Sequence, residues 1–213
     1  MIINIVGGGP VRYVPSLQQY NCEECLWVGA DRGVLYLIHS DIVPRHAFGD
    51  FDSITADEMR YIEQQLKHVH IFPEEKDLTD IEIALQWALA QQPTTIQLFG
   101  CSGGRLDHLL GNIQLLVNGL AKDVQIHLID TQNIVTMYEP GSYSVKKHES
   151  YRYISFLPFS KEIEQLSLSG FKYPLENCHI KLGSTLCISN ELNDDRGTFS
   201  FTSGILLMVR STD

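Results

Sequence analysis

Basic residues are scarce in this chain: 16 Lys and Arg stand against 26 Asp and Glu in 213 residues, a formal net charge of -10 at pH 7. That deficit leaves no broad cationic face for a nucleic-acid backbone or an anionic membrane, so neither is expected as a partner. Long apolar runs are missing too. The opening "MIINIVGGGP" carries no basic leader, and its apolar run falls far short of the roughly 20 residues of a membrane span, which predicts a soluble, cytoplasmic protein. Cysteine is sparse, with five residues at 22, 25, 101, 178 and 187. Their odd number and scatter fit reduced thiols better than a disulfide framework. "CEEC" has the spacing of half a zinc site, yet no second pair or nearby histidine couple completes four ligands. Internal repeats and low-complexity tracts are also absent. Apolar residues, at 44%, are plentiful enough to fill a sizeable core.

The first 130 residues alternate short apolar runs with longer amphipathic ones, the pattern of β-α units in a parallel, Rossmann-like sheet with helices on both faces. "IINIV", "LWVGA", "HAFGDF", "VHIF", "TIQLF" and "VQIHLI" read as strands. Thr55 and Glu58 are spaced as a capping box, followed by Met59, Ile62 and Leu66 on one helical face. Ile81, Ala84, Leu85, Ala88 and Leu89 form a second stripe at buried-helix spacing. Leu106, Leu109, Leu110, Ile113, Val117 and Leu120 form a third. After "DTQNIVTMYEPG", which reads as the join, residues 131–213 become short, β-rich and punctuated by Gly, Pro, Ser and Asn. "EPGSYSV", "YRYISFLPF", "LSLSGFKYPL", "STLCISNEL" and "GTFSFTSGILLMV" predict a smaller antiparallel β-sandwich domain.

Several polar clusters begin where a predicted strand ends. Asp31 follows "LWVGA", Asp50 and Asp52 close "HAFGDF", "PEEKDLTD" follows "VHIF", and "GCSGGRLDH" follows "TIQLF". In an open parallel sheet the carboxyl ends of the strands share one edge, where ligands bind, so these clusters are expected to converge. In an extended chain Asp50 and Asp52 point the same way, and a divalent cation such as Mg2+ relieves the repulsion between them. A loop in which the two aspartates only cap a turn is the alternative. Asp80 is a third candidate ligand. Lys76 can meet a phosphate as a point charge. Asp77 can cap the helix that follows, and Thr79 can either join the cap or offer its hydroxyl to a phosphate. In "GCSGGRLDHLLGN" a glycine-rich turn enters a helix, so backbone N–H groups can approach an anion at the positive end of the dipole, with Arg105 supplying a fork of donors. Asn112, seven residues beyond Arg105, faces the same side. "VGGGPVR" lacks the third glycine of a dinucleotide fingerprint and reads as a turn near the crevice. His68, His70 and His108 read as packing or surface residues.

Taken in order, "ADRG", "GDFDSI", "KDLTDIEIAL" and "GCSGGRLDHLLGN", then "LSGFKYPL" and "SNE", resemble the thiamine pyrophosphokinase family over nearly the whole chain. The resemblance implies an α/β catalytic, ATP-binding domain at 1–130 and a β-rich thiamine-binding and dimerisation domain at 131–213. It also implies a homodimer and Mg2+-dependent transfer of pyrophosphate from ATP to thiamine, releasing AMP. Carried over by position, Asp31, Asp50, Asp52 and Asp80 resemble the acidic cluster, Asp50, Asp52 and Asp80 being the metal ligands and Asp31 a substrate contact. Lys76, Thr79, Ser102, Gly103, Gly104, Arg105, Asp107 and Asn112 resemble the ATP side, Lys76 joining Asp50, Asp52 and Asp80 as catalytic. Ser189 and Asn190 resemble part of the thiamine pocket. Both tryptophans, Trp27 and Trp87, lie in the first domain, so a ring stacked on thiamine from the second domain has to be Tyr173 or another aromatic. The competing readings are a Mg2+-dependent nucleotide phosphohydrolase and a non-enzymatic nucleotide-sensing module.

Overall fold

The structure is a computed structural model and describes residues 1–52, 54–66, 69–71 and 77–213. The chain divides into two compact units, Met1–Thr131 and Gln132–Asp213. The first holds a parallel sheet of six strands: β1 Ile2–Val6, β2 Cys25–Ala30, β3 His46–Gly49, β4 Val69–Ile71, β5 Thr95–Phe99 and β6 Gln125–Ile129. Their spatial order is β4-β3-β2-β1-β5-β6. The order therefore reverses beside β1, and the gap between the ends of β1 and β5 is the switch point where such sheets open a crevice. The described side chains of β1, β2, β3, β5 and β6 are mostly buried, with Ile3, Ile5, Val28, Ile96 and Leu98 fully enclosed. That is why they read as continuous apolar runs rather than alternating ones.

The connecting helices are α1 Gly33–His39, α2 Ala56–Gln65, α3 Asp80–Ala90, α4 Leu106–Leu115 and α5 Val117–Leu120. The capping box that starts α2 is formed as expected: Glu58 N donates to Thr55 Oγ1, and Thr55 N donates to Glu58 Oε2 at 2.9 Å. Ile62 is fully buried against Val34, Leu35 and Ala47. At α3 the cap is Thr79, whose hydroxyl accepts from Glu82 N at 3.3 Å, and not Asp77. A residue caps only from the position immediately before the first turn, which Thr79 holds and Asp77 misses by two. The stripe of α3 is buried through Ala84, Leu85, Ala88 and Leu89. The stripe read in the next helical segment is not. Leu106 and Leu110 are 67% and 52% exposed, Val117 is exposed as well, and α4 buries no residue within the chain.

The second unit is a sandwich of two antiparallel sheets. One is ordered β7-β13-β9, from Asn133–Tyr138, Leu206–Ser211 and Tyr153–Pro158. The other is ordered β11-β10-β12-β8, from Leu175–Lys181, Glu162–Ser169, Arg196–Phe201 and Gly141–Lys146. Phe156, Ile163, Leu168, Phe199, Phe201 and Met208 fill the space between them. Phe156 lies 5.5 Å from Phe171 and 5.0 Å from Phe199, centroid to centroid. Two readings of the sequence change here. "DTQNIVTMYEPG" is not only a join, because it contains β7, which pairs residue for residue with β13. "STLCISNEL" is not a strand: its backbone turns through residues 186–189 before two isolated bridges, Ile154 with Asn190 and Phe171 with Leu192. Its polar, small residues hydrogen-bond locally instead, as when Leu186 N donates to Ser184 Oγ at 3.4 Å.

Cysteine is the clearest correction. Cys22 and Cys25 form a disulfide, their Cα atoms 5.0 Å apart, where reduced thiols were expected. The turn between them, in which Cys25 N donates to Cys22 O, brings both side chains to one place. Cys101, Cys178 and Cys187 are free thiols. No described helix is long and apolar enough to cross a membrane.

Candidate active site

The carboxyl ends of the parallel strands deliver the residues that the positional argument expected. Asp31 follows β2, Asp50 follows β3, and Asp80 opens α3. One carboxylate oxygen from each lies within 4.8 Å of the others, and all three residues are half-buried. Two features of the backbone allow this. Asp31 takes a positive φ of 49°, which turns it sharply out of β2, and its N–H donates to Phe48 O at 2.9 Å. Gly49 then leaves room beside it, since a Cβ there would overlap Asp31 Oδ1. Close packing of the "ADRG" loop against β1 falls to Gly33, whose Cβ position is filled by the Val6 carbonyl, while Arg32 keeps an ordinary right-handed φ of -59° and pairs with Glu58 at 3.4 Å.

Asp52 does not join the three. The extended geometry expected for residues 50–52 is broken at Phe51, which has a φ of 59° and buries its ring beneath the loop. The two aspartates consequently diverge. Asp50 Oδ1 accepts from the Asp52 N–H at 3.1 Å, and Asp52 is exposed. Burial of one aromatic ring outweighs the i, i+2 alignment that an unbroken strand would impose.

Beside the three carboxylates runs a cleft of about 310 Å³, lined by Gly8, Gly9, Pro10, Asp31, Thr79, Asp80, Ile81, the loop 100–105, His108 and Asn112. It occupies the switch point between β1 and β5. Gly9 N donates to Gly100 O at 2.8 Å, tying the two strand-end loops together. Gly103 and Gly104 both have positive φ, 74° and 80°, a pair of conformations that bends the loop before α4 and that side-chain-bearing residues resist. The helix entry therefore presents backbone rather than side chains. Asn112 reaches back from α4, its Nδ2 donating to Cys101 O at 2.9 Å.

Ser102 is buried and donates to Asp130 Oδ2 at 2.7 Å. Asp130 escaped the sequence reading, although it follows "VQIHLI" just as Asp31 follows "LWVGA". The same positional rule contained it. Arg105 grips Asp107 with two hydrogen bonds, Nε to Oδ1 at 3.1 Å and Nη2 to Oδ2 at 2.6 Å. Those bonds hold the Asp107 carboxyl down at about 2. Burial pushes the Cys101 thiol, at the floor of the cleft, up to about 12, so it is inert as a nucleophile at neutral pH. Lys76 and His68 lie outside the described residues, and the His70 side chain does too.

In the second unit Ser189 is exposed with a φ of 57°, and its N–H donates to Ser155 Oγ at 2.9 Å. Asn190 is only 2% exposed. Its amide is occupied from both ends: Oδ1 accepts from Tyr173 N at 3.0 Å, and Nδ2 donates to Tyr173 O at 2.8 Å. The side chain assigned to a substrate contact is thus committed to holding a neighbouring loop.

Two family models match the chain, the thiamin pyrophosphokinase catalytic domain over residues 17–128 and the thiamin pyrophosphokinase vitamin B1 binding domain over residues 142–206. A thiamine pyrophosphokinase of Bacillus subtilis is 57% identical over 211 residues, covering 99% of each chain. The chain belongs to the thiamine pyrophosphokinase family. Solved structures of thiamine pyrophosphokinases agree: that from Bacillus subtilis superposes with a TM-score of 0.96 at 56% identity over 100% of both chains. That from Geobacillus thermodenitrificans gives 0.93 at 50% identity, over 100% of this chain and 98% of its own. A thiamin pyrophosphokinase family protein from Enterococcus faecalis gives 0.89 at 33% identity over the full length of both.

Proposed function

We propose that this chain transfers pyrophosphate from ATP to the hydroxyl of thiamine, giving thiamine diphosphate and AMP. What carries the reading is the meeting of three carboxylates and a glycine-lined cleft at one edge of the sheet, in a member of this family. The donor set fits a divalent cation of the hard, oxygen-seeking kind, and Asp31, Asp50 and Asp80 are the residues that would hold Mg2+. When bound, the ion supplies charge neutralisation to phosphate oxygens.

The chain's own groups do the rest. Backbone N–H groups of the loop 100–105 and the α4 entry receive the triphosphate. Thr79, whose hydroxyl oxygen is accepting from Glu82 N, retains its proton to donate to a phosphate oxygen. Arg105, steered by Asp107, and Lys76 supply cationic donors, while Ser102 and Asn112 hold the loop through Asp130 and Cys101 O. Asp52, outside the three-carboxylate group, is the proton acceptor. The thiamine oxygen bonds to the β-phosphorus of ATP, its proton passes to Asp52, and the bond from that phosphorus to the bridging oxygen breaks with its electron pair leaving on AMP. Ser189 and the surface around it form the thiamine side.

The enzyme acts as a cytoplasmic homodimer in this reading. Two apolar patches support the dimer: Leu106, Leu110 and Val117 in the first unit, and Leu182, Leu186 and Ile188 in the second, all 37% to 67% exposed. Patches of large apolar residues beside a site mark surfaces that a partner covers. The deciding assay supplies ATP, Mg2+ and thiamine and separates the nucleotides. Thiamine-dependent AMP is expected. ADP as the product would reject pyrophosphate transfer, and steady ATP loss without thiamine would favour a phosphohydrolase.

A further inference from the structure

The "CEEC" segment takes no part in the reaction proposed above. Its two cysteines are joined, and the bond between them spans a sequence separation of only 3. So short a crosslink closes a very small loop, removes little freedom from the unfolded chain and ties no distant elements together. The backbone here is also held by other means. Cys25 N donates to Cys22 O at 3.1 Å, Ile2 N donates to Glu24 O at 3.3 Å, and Trp27 Nε1 donates to Asn21 Oδ1 at 2.9 Å. A bond that the local fold does not require for its shape can open and close without unfolding the chain.

The position of the pair gives a reactant access to it. Cys25 begins β2, so the disulfide stands at the opposite end of that strand from Asp31 and the cleft. Cys22, Glu23 and Glu24 are exposed, and Cys25 is half-buried. Beside Cys25 lies a hollow of about 660 Å³, lined by Glu23, Glu24, Leu26, Trp27 and Arg45 among others, with room for an incoming group. Two of the free thiols contrast with this pair. Cys101 and Cys187 are buried, and burial lifts them to about 12 and about 11, which keeps them protonated and unreactive near neutrality. In a cytoplasmic protein, as proposed above, a disulfide is as a rule transient and redox-responsive rather than structural.

We propose that Cys22 and Cys25 form a reversible thiol–disulfide exchange site, opened by a dithiol and closed by a disulfide donor, whose state sets how firmly residues 17–25 are held on the sheet. A thiolate of the dithiol attacks the exposed Cys22 sulfur, and the Cys22–Cys25 bond breaks with its electron pair on Cys25, which takes up a proton. The second thiolate of the dithiol then attacks its own sulfur now joined to Cys22. Cys22 leaves as a thiolate and is protonated, and the dithiol closes to a disulfide, so two electrons and two protons pass to the protein. The released Cys25 thiol finds an acceptor in place, since its sulfur lies 3.4 Å from Tyr20 O. Oxidation runs the same exchange backwards. With the bond open, the hold on the segment falls to the hydrogen bonds above, to buried Leu17, and to the Tyr20 ring, 4.8 Å from that of Phe99 at the end of β5.

Counting thiols on the full chain tests this. The protein is equilibrated without denaturant in oxidised glutathione or in dithiothreitol, quenched and alkylated in denaturant, and its alkyl groups are counted by intact mass. Three are expected from the oxidised sample, matching Cys101, Cys178 and Cys187, and all five cysteines from the reduced one, with the change reversed when the buffers are exchanged. A count of three in native dithiothreitol that rises only on unfolding marks a closed structural crosslink and overturns the proposal. So does a count of five in oxidised glutathione, or glutathione left on Cys22 in place of its bond to Cys25. Amide exchange resolved by peptide reads the rest of the claim: residues 17–25 should exchange roughly three- to ten-fold faster in the reduced chain, with the second unit unchanged. Cys22→Ser, altered only at an exposed position, should show the fast rate in both buffers. Equal rates for the wild type in the two buffers would sink the idea that the bond governs this segment. Neither readout depends on catalysis, so a chain that fails here yet makes thiamine-dependent AMP keeps its proposed function.

Discussion

Three carboxylates held within 4.8 Å of one another repel, and Asp50→Asn measures by how much. At that separation a pair of unit charges costs about 0.9 kcal/mol in a water-like dielectric and about 3.5 kcal/mol at the effective value of 20 used for pairs near a protein surface. Asp50 takes part in two of the three pairs, so removing its charge relieves at least about 2 kcal/mol. The substitution keeps the oxygen that accepts from Asp52 N, and it leaves the start of α3 untouched. In EDTA the variant should therefore unfold higher than wild type, by roughly 4–8 °C at the ~2–4 °C per kcal/mol typical of chains this long. Adding millimolar Mg2+ should raise the wild-type midpoint and move the variant much less, since an amide is a poorer ligand. Turnover of the variant should fall by orders of magnitude. Thermal unfolding with and without Mg2+ provides the measurement. A variant less stable than wild type in EDTA, or a wild-type midpoint indifferent to Mg2+, would refute the view that these groups form a strained, cation-seeking set.

Other consequences are equally direct. Thr55→Ala removes the α2 cap and should cost about 1 kcal/mol in urea unfolding, with faster amide exchange over the first turn. The Arg105–Asp107 bonds are the main cause that holds this carboxyl down at about 2, so their contribution is present above the ordinary range near 3.8 and is lost as pH falls towards 2; an NMR titration of Asp107 should show this, and Arg105→Ala should raise it towards the ordinary value, with the His108 N–H still holding it somewhat below. The Cys101 thiol is raised from 9.0 to about 12, so its neutral, buried form favours folding below pH 9 and that advantage disappears as pH climbs towards 12. Alkaline unfolding should accordingly be shifted upward by Cys101→Ala. Leu110→Glu should give a monomer in light scattering where the wild type gives the proposed dimer, because it places a charge on the exposed face of α4.

How much of this was legible in the sequence differs from element to element. The strands and the helices α2 and α3 were readable because their signals are local: continuous apolar runs for buried parallel strands, a capping box, a stripe at helical spacing. The convergence of Asp31, Asp50 and Asp80 was readable for a topological reason, since parallel strands end on one edge. The stripe of α4 has the same spacing as that of α3, and periodicity alone has no means of telling a core-facing face from an outward one. Its exposure is a property of what the rest of the chain fails to cover. The disulfide was likewise missed, because a count and spacing of cysteines say nothing about the turn that joins Cys22 to Cys25.

The sequence by itself therefore determined the two kinds of unit, the order of the chemical groups and the edge at which they gather, because each follows from short-range periodicity and the handedness of β-α connections. Only the tertiary structure decided which groups meet. Phe51, turning its backbone to bury a ring, separates Asp52 from Asp50, and Gly49 admits Asp31 in its place. Asn190, read from the sequence as a substrate contact, hydrogen-bonds both backbone polar groups of Tyr173, a residue seventeen positions away, in the folded chain. A side chain's partners are set by packing between residues distant in the chain, and that information is absent from any local pattern.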